Sequence, residues 1–154
     1  MKNRVLLVDD DPAVRWMLLR VLEDENYLVL PAANGIEALE IASTQAPDLV
    51  LLDLAMPLQN GWDTFQRLST DHPALPVIII TARPNQLFPA LASGVGALME
   101  KPLDLPKLLR TIRDLLAEPE EARLARTAGR LAEFHYLPPK REQPAGTPAG
   151  EHAR

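Results

Sequence analysis

The chain has 154 residues, 47% of them hydrophobic, and a net charge of −5 at pH 7. This length and composition fit one domain of ordinary size with an additional segment. The acidic, mixed charge offers no patch for direct binding to nucleic acid, so an effect on DNA would have to act through a protein partner.

Residue usage also excludes several classes of site. Cysteine is absent, which excludes disulfide bonds, a thiolate nucleophile and cysteine zinc sites. No apolar run approaches the roughly 20 residues of a membrane-spanning helix, and the first apolar run is too short for a signal peptide. We therefore expect a soluble, cytoplasmic protein that makes no contact with a membrane.

The first predicted strand, Arg4–Val8, is followed by three consecutive carboxylates. Asp11 precedes a proline, and this pair is typical of a helix N-cap and first helical position. The helix that begins here has an apolar stripe at intervals of three and four residues and extends to about Glu25. Asp11 therefore has a structural explanation, whereas Asp9 and Asp10 do not.

Two further strand-then-helix units follow along the chain. Residues 27–31 predict a second strand, and the turn at 33–35 leads into a second helix. Leu49–Asp53 is apolar up to its final carboxylate, which predicts a third strand buried on both faces. The turn at 59–61 introduces a third helix. Asp53 would thus lie at the C-terminal edge of the sheet, where open α/β sheets bind ligands.

The fourth and fifth units complete the pattern. Residues 76–81 predict a strand that ends on Thr81, and the connection after it contains two prolines, so its helix should be short, late-starting or broken. Residues 94–99 predict a fifth strand, which leads to Lys101. Asp104 then caps a helix whose buried face comprises Leu105, Leu108, Leu109, Ile112, Leu115 and Leu116.

Five successive units predict an α/β domain over residues 1–117, a doubly wound five-stranded parallel sheet with helices on both faces. From residue 118 the composition changes to Ala, Arg and Glu, with acids before arginines, the order that a helix dipole favours. We predict an additional amphipathic helix over residues 118–136, which docks on the domain or forms a homodimer. Its apolar side would comprise Leu124, Ala128, Leu131 and Phe134. Residues 137–154 are rich in Pro and Gly and are expected to be a disordered tail.

Polar side chains follow four strands at one edge of the predicted sheet: Asp9 and Asp10, Asp53, Thr81 and Lys101. Clustered carboxylates repel one another, so they need a cation to stay ionised in an apolar-walled crevice. Oxygen ligands without Cys or His favour a hard ion, Mg²⁺ first and Mn²⁺ or Ca²⁺ next. With a lysine and a hydroxyl donor beside it, such a site can hold a phosphoryl group and let a carboxylate attack it.

Over residues 2–117 the chain resembles the receiver domains of bacterial two-component response regulators. The shared motifs are Val8-Asp9-Asp10, Asp53-x-x-Met56-Pro57 followed by Gly61, Thr81-Ala82 and Lys101-Pro102. The resemblance implies a flavodoxin-like (CheY-like) fold with strand order 2-1-3-4-5. It also implies a phosphoprotein of phosphorelay signal transduction that is a phospho-acceptor rather than an enzyme, and that acts alone as a receiver.

The resemblance assigns the phosphoryl chemistry to three residues. Asp53 would accept the phosphoryl group from a histidine of a sensor kinase or a phosphotransfer protein. Lys101 would pair with Asp53 before transfer and with the phosphoryl group afterwards. Thr81 would bond a phosphoryl oxygen, and the resulting shift would change contacts with a downstream protein.

The resemblance also supplies a metal set. Asp10 and Asp53 would ligate Mg²⁺, or Mn²⁺ in its place, and Asp9 would act mainly through water. The backbone carbonyl of Ala55 would be a further ligand. The peptide before Pro102 is cis in similar domains, which would direct the lysine into the site.

Two departures from similar domains concern the switch. Leu98 stands where such domains usually have Tyr or Phe, and the connection after Thr81 is about two residues shorter and contains prolines. The sequence therefore keeps open a scaffold that works without phosphorylation. An aspartate-nucleophile phosphohydrolase is a second alternative, but such enzymes usually need an acid two residues after the nucleophile, where this chain has Ala55.

Overall fold

The computed structural model describes residues 2–54, 61–83, 85–129 and 133–141. The strands are β1 (Arg4–Val8), β2 (Leu28–Ala32), β3 (Leu49–Asp53), β4 (Val77–Thr81), β5 (Ala97–Glu100) and β6 (His135–Leu137). The helices are α1 (Pro12–Asp24), α2 (Gly35–Gln45), α3 (Gly61–Asp71), α4 (Leu87–Ser93), α5 (Leu105–Ala117) and α6 (Glu120–Thr127).

The strands form one parallel sheet in the order β2-β1-β3-β4-β5-β6. The predicted order of the first five strands is confirmed, and so is the doubly wound α/β class. The prediction of five strands is wrong by one, because β6 pairs in parallel with the outer edge of β5. None of the described helices combines the length and apolar character needed to cross a membrane.

The sheet is buried on both faces, which explains the continuous apolar runs in the sequence. Alternate strand residues point to opposite faces and build two separate clusters. One cluster, which includes Leu52 and Ile79, packs against residues of α2, α3 and α4. The other, which includes Leu51 and Ile78, packs against α1 and α5. Every residue of β3 is buried, including its terminal Asp53.

Helix starts agree with the predicted caps. The Asp11 carboxylate accepts a hydrogen bond of 2.9 Å from the Ala13 amide, and the Asp104 carboxylate accepts one of 3.3 Å from the Lys107 amide. The helix predicted to be short is α4, which begins only at Leu87 and has seven residues. These two caps fix where α1 and α5 begin, shortly after the C-terminal ends of β1 and β5.

The predicted additional C-terminal helix is present as α6, but it is shorter than predicted. The helix predicted over residues 118–136 ends at Thr127, and Gly129 continues the chain with a φ of 77° that favours glycine. His135–Leu137 then forms β6 instead of a helical turn or the start of a tail. The predicted tail beyond residue 141 lies outside the described residues.

The predicted apolar side is wrong for Leu124 and Ala128, which are exposed, whereas Phe134, beyond the end of α6, packs against the core. Leu124 is 37% exposed, whereas Arg126 is only 6% exposed and forms an ion pair with Glu118. The Arg126 Nε also donates to the carbonyl oxygen of Glu133 at 3.1 Å. A charged residue therefore faces the domain, because the segment contains partners that satisfy it. Leu131, another member of the predicted stripe, is outside the described residues.

Candidate functional site

The C-terminal ends of the four central strands meet at one edge of the sheet. Asp9 follows β1, Asp53 ends β3, Thr81 ends β4, and Lys101 follows β5. Because β1, β3, β4 and β5 are consecutive neighbours, the sheet brings these residues to one place. This is the crevice that a doubly wound sheet offers to a ligand.

Three carboxylates form a compact cluster there. One oxygen from each of Asp9, Asp10 and Asp53 lies within 4.8 Å of the others. Asp9 and Asp53 are buried, with exposed fractions of 1% and 3%, while Asp10 is exposed. The cluster therefore has buried ligands on one side and an open side toward solvent.

The donors around Asp9 leave one oxygen without a partner. Asp9 Oδ1 accepts a hydrogen bond of 2.9 Å from the Asp11 amide, but no described group donates to the buried Oδ2. Burial raises the pKa of Asp9, and the charge of Asp53 raises it further, against the lowering effect of the Asp11 amide. An unpartnered buried carboxylate oxygen among other acids fits a hard divalent cation.

Lys101 supplies a positive charge on the other side of Asp53. Its Nζ lies 3.7 Å from Asp53 Oδ2, and its backbone amide donates to the Thr81 carbonyl oxygen at 2.8 Å. The peptide between Lys101 and Pro102 is cis, as the resemblance implies. The lysine is therefore held to the end of β4 by its backbone while its side chain reaches the carboxylate.

Thr81 lies at the end of β4 and is fully buried. Its Oγ1 accepts a hydrogen bond of 2.8 Å from the Arg83 amide, which fixes the start of the following loop. Its hydroxyl hydrogen can still be donated, since a hydroxyl is both donor and acceptor. The Thr81 hydroxyl can thus donate a hydrogen bond to an anion at this edge.

Gly61 allows the chain to return close to Asp53. A Cβ on this residue would lie 2.5 Å from the Cα of Leu54 and 2.8 Å from the carbonyl oxygen of Asp53. The Gly61 amide donates to the Leu54 carbonyl oxygen at 3.2 Å. The glycine of the sequence motif is therefore required by a close backbone approach. Ala55, the predicted carbonyl ligand, is outside the described residues.

Two features of the site were not predicted. The Arg15 Nη1 donates to the carbonyl oxygen of Asp9 at 2.7 Å and so braces the acidic loop from α1. The Trp62 Nε1 donates to Gln86 Oε1 at 2.9 Å, which connects the start of α3 with the residue before α4. The helical periodicity that placed Arg15 on α1 does not predict a contact with the backbone six residues earlier.

The comparison with known families agrees with this geometry. A family model described as the response regulator receiver domain matches residues 5–113. The chain belongs to this family. The match includes every residue of the acidic cluster as well as Thr81 and Lys101, and it excludes α6 and β6.

Two relatives of this receiver differ in how much of their own length the match covers. Protein PilH of Pseudomonas aeruginosa is 36% identical over 118 residues, which cover 74% of this chain and 98% of PilH. Response regulator MprA of Mycobacterium bovis is 36% identical over 126 residues, which cover 79% of this chain but 55% of MprA. The receiver chain thus spans about half the length of MprA.

Solved structures show the same fold. A CheY-like receiver domain protein from Methanospirillum hungatei superposes with a TM-score of 0.74 at 28% identity, over 79% of this chain and 98% of that one. Response regulator TrrA from Thermotoga maritima, in complex with Mg²⁺ and BeF, gives 0.69 at 29% identity, over 75% and 99%. The receiver therefore resembles a protein solved with a divalent cation and a beryllium fluoride.

Proposed function

We propose that Asp53 accepts a phosphoryl group from a phosphohistidine and so switches protein–protein contacts in two-component signalling. The observation that carries this proposal is a buried carboxylate at a strand end, with two acids on one side and Lys101 on the other. In the transfer, an Asp53 oxygen forms the new O–P bond as the N–P bond of the donor histidine breaks. The leaving imidazole takes up a proton from solvent.

The acidic cluster suits Mg²⁺ or Mn²⁺ as a resident ion. Asp9, Asp10 and Asp53 offer oxygen ligands, and the backbone carbonyl of Ala55 is proposed as a fourth protein ligand. A bound ion would neutralise phosphoryl oxygens during transfer. Oxygen ligands without nitrogen or sulfur favour these two ions over zinc.

Lys101 and Thr81 are proposed to hold the transferred group. The Lys101 ammonium lies 3.7 Å from the Asp53 carboxylate and would pair with the phosphoryl group after transfer. The Thr81 hydroxyl would donate to a phosphoryl oxygen and draw the loop that begins at Arg83 inward. Hydrogen bonds to a charged oxygen are stronger than neutral ones, so they can shift a population of conformers.

The proposed donor is a sensor histidine kinase or a histidine phosphotransfer protein, and the proposed output is contact with another protein. The cluster of acids around a paired Asp53 favours this function over a scaffold that needs no phosphorylation, because a scaffold has no use for a repulsive buried cluster. The proposal is tested by incubating the protein with phosphoramidate and following its intact mass. We expect one added phosphoryl group with Mg²⁺ and none after chelation by EDTA. Equal modification with and without the ion would contradict the metal's role.

The Asp9→Asn variant should separate the stability of the fold from ion binding. Burial raises the pKa of Asp9 above its ordinary value of 3.8, so the protonated carboxyl favours the folded state. This contribution to stability is fully present below pH 3.8 and is lost as pH rises through the folded-state pKa. At neutral pH the asparagine side chain of the variant is uncharged. It therefore lacks both the cost of burying a charge and the repulsion from Asp53. Without metal, we expect the free energy of unfolding of the variant to exceed that of the wild type by about 1 kcal/mol, as measured by urea titration.

In the same variant, Mg²⁺ should no longer raise the unfolding midpoint, because one ligand charge is lost. Asp11→Asn is the matched control, since asparagine also caps helices and the change in net charge is identical. The control should keep the response to Mg²⁺. A less stable Asp9→Asn protein that still responds to Mg²⁺ would show that the acids are held by the fold for another reason.

A further inference from the structure

The outer edge of β5 is covered by the chain's own β6. Ala97 pairs with His135, Leu98 with Tyr136 and Met99 with Leu137. The His135 amide also donates to the Gly96 carbonyl oxygen at 3.1 Å. The segment from β6 to Arg141, which we call the strap, therefore lies along the strand that leads to Lys101.

The strap is bonded to the residues on both sides of that lysine. The Tyr136 hydroxyl donates to the Glu100 carboxylate, and the Lys140 amide donates to the Pro102 carbonyl oxygen at 2.9 Å. Toward β4, the backbone amide of Lys101 donates to the carbonyl oxygen of Thr81. The lysine that pairs with Asp53 thus lies between the strap and the end of β4.

The side chains involved share one face of the sheet. Thr81 is in register with Glu100, and Leu98 is in register with Tyr136. Registered positions of parallel strands project to the same side. Leu98 is 1% exposed and fixed in the core, whereas Tyr136 is 43% exposed. At this pair of registered positions the aromatic residue therefore belongs to the strap and not to β5.

The strap and α6 are held by different contacts. Its strand has three residues at the edge of the sheet, and only Leu137 among them is buried in the core, so its local opening should cost less free energy than that of the central strands. By contrast, α6 is anchored by the buried ion pair of Arg126 with Glu118, and the Thr127 hydroxyl donates to the Pro73 carbonyl oxygen at 2.8 Å. Opening is thus expected to be confined to the residues after α6.

We propose that phosphorylation of Asp53 releases the strap from β5 and so exposes the edge of the sheet. This inference rests on the proposed function. New negative charge at Asp53 draws the Lys101 ammonium and the Thr81 hydroxyl inward, and the ends of β4 and β5 follow. The strap is bonded to Glu100 and Pro102, the two neighbours of Lys101, so an inward shift of the lysine stretches these hydrogen bonds. By linkage, the docked strap opposes phosphorylation to the same extent.

Hydrogen exchange on the full chain tests the release. Peptides that cover residues 133–141 are compared with and without Mg²⁺ and beryllofluoride, and ¹⁹F NMR reports whether the site is loaded. We expect faster exchange in the loaded protein. The Tyr136→Phe variant should show about fivefold faster exchange even when unloaded, the equivalent of one ordinary hydrogen bond. Tyr27→Phe, which changes the chain's other tyrosine, is the control and should exchange like the wild type.

The outcomes separate this inference from the function on which it rests. If beryllofluoride binds but exchange at residues 133–141 is unchanged or slower, the proposed release of the strap is wrong, whereas the proposed phosphorylation of Asp53 still stands. Failure of beryllofluoride to bind, together with no phosphoryl gain by intact mass, overturns both. Equal exchange of Tyr136→Phe and the wild type when unloaded would show that the bond to Glu100 does not hold the strap.

Discussion

Replacing Asp53 by asparagine should abolish modification by phosphoramidate completely, because the amide oxygen is a far weaker nucleophile than a carboxylate. The substitution keeps the size of the side chain in a position that is only 3% exposed. Removing a negative charge from the cluster also relieves repulsion with Asp9, so the variant should fold. Intact mass before and after incubation measures the effect.

The control for this variant is Asp63→Asn, which changes an exposed acid in the first turn of α3. It should accept a phosphoryl group like the wild type. Thermal unfolding should show that both variants are folded. A phosphoryl group on Asp53→Asn would mean that another carboxylate of the cluster is the acceptor, and peptide mapping of the modified chain would identify it.

The Arg126→Met variant should be destabilised by about 3 kcal/mol or more, because it leaves the Glu118 carboxylate buried without its cation. The side chains of the pair are 7% and 10% exposed. The backbone bond from Arg126 to Glu133, on the way to β6, would be lost as well. Urea unfolding measures the change, and the effect should persist at high salt because the pair is shielded from solvent.

The matched control is the double variant Arg126→Met with Glu118→Leu. Replacing both partners by apolar side chains removes the buried charge along with its partner, so most of the stability should return. Phosphorylation of Asp53 should continue in both proteins wherever they are folded. An Arg126→Met protein as stable as the wild type would show that α6 does not depend on this ion pair.

Most of the domain could be predicted because its signals are local. The apolar run before Asp53 predicts a buried strand from neighbouring residues alone, and Asp11 and Asp104 predict their helix starts in the same way. The order of the strands followed from the resemblance. Because parallel strands end at one edge, the meeting of Asp9, Asp53 and Lys101 needed no knowledge of side-chain contacts.

The C-terminal segment could not be predicted because its structure depends on distant partners. The spacing of Leu124 and Phe134 fits a single helix, and nothing local shows that the chain turns at Gly129. A strand of three residues has no recognisable alternation, and β6 exists because the edge of β5 offers hydrogen bonds about forty residues earlier. Burial of Arg126 was missed because charged residues are usually exposed unless paired.

We propose that a divalent ion holds the acids together so that Asp53 can accept a phosphoryl group. A crystal structure with Mg²⁺ and beryllofluoride tests it most directly. We expect beryllium bonded to an Asp53 oxygen, and the ion at about 2.0–2.1 Å from oxygens of Asp10 and Asp53. The Lys101 ammonium should contact a fluoride. Beryllium on any other residue would contradict the role of Asp53 as acceptor, and an ion bound away from these carboxylates would contradict the metal site.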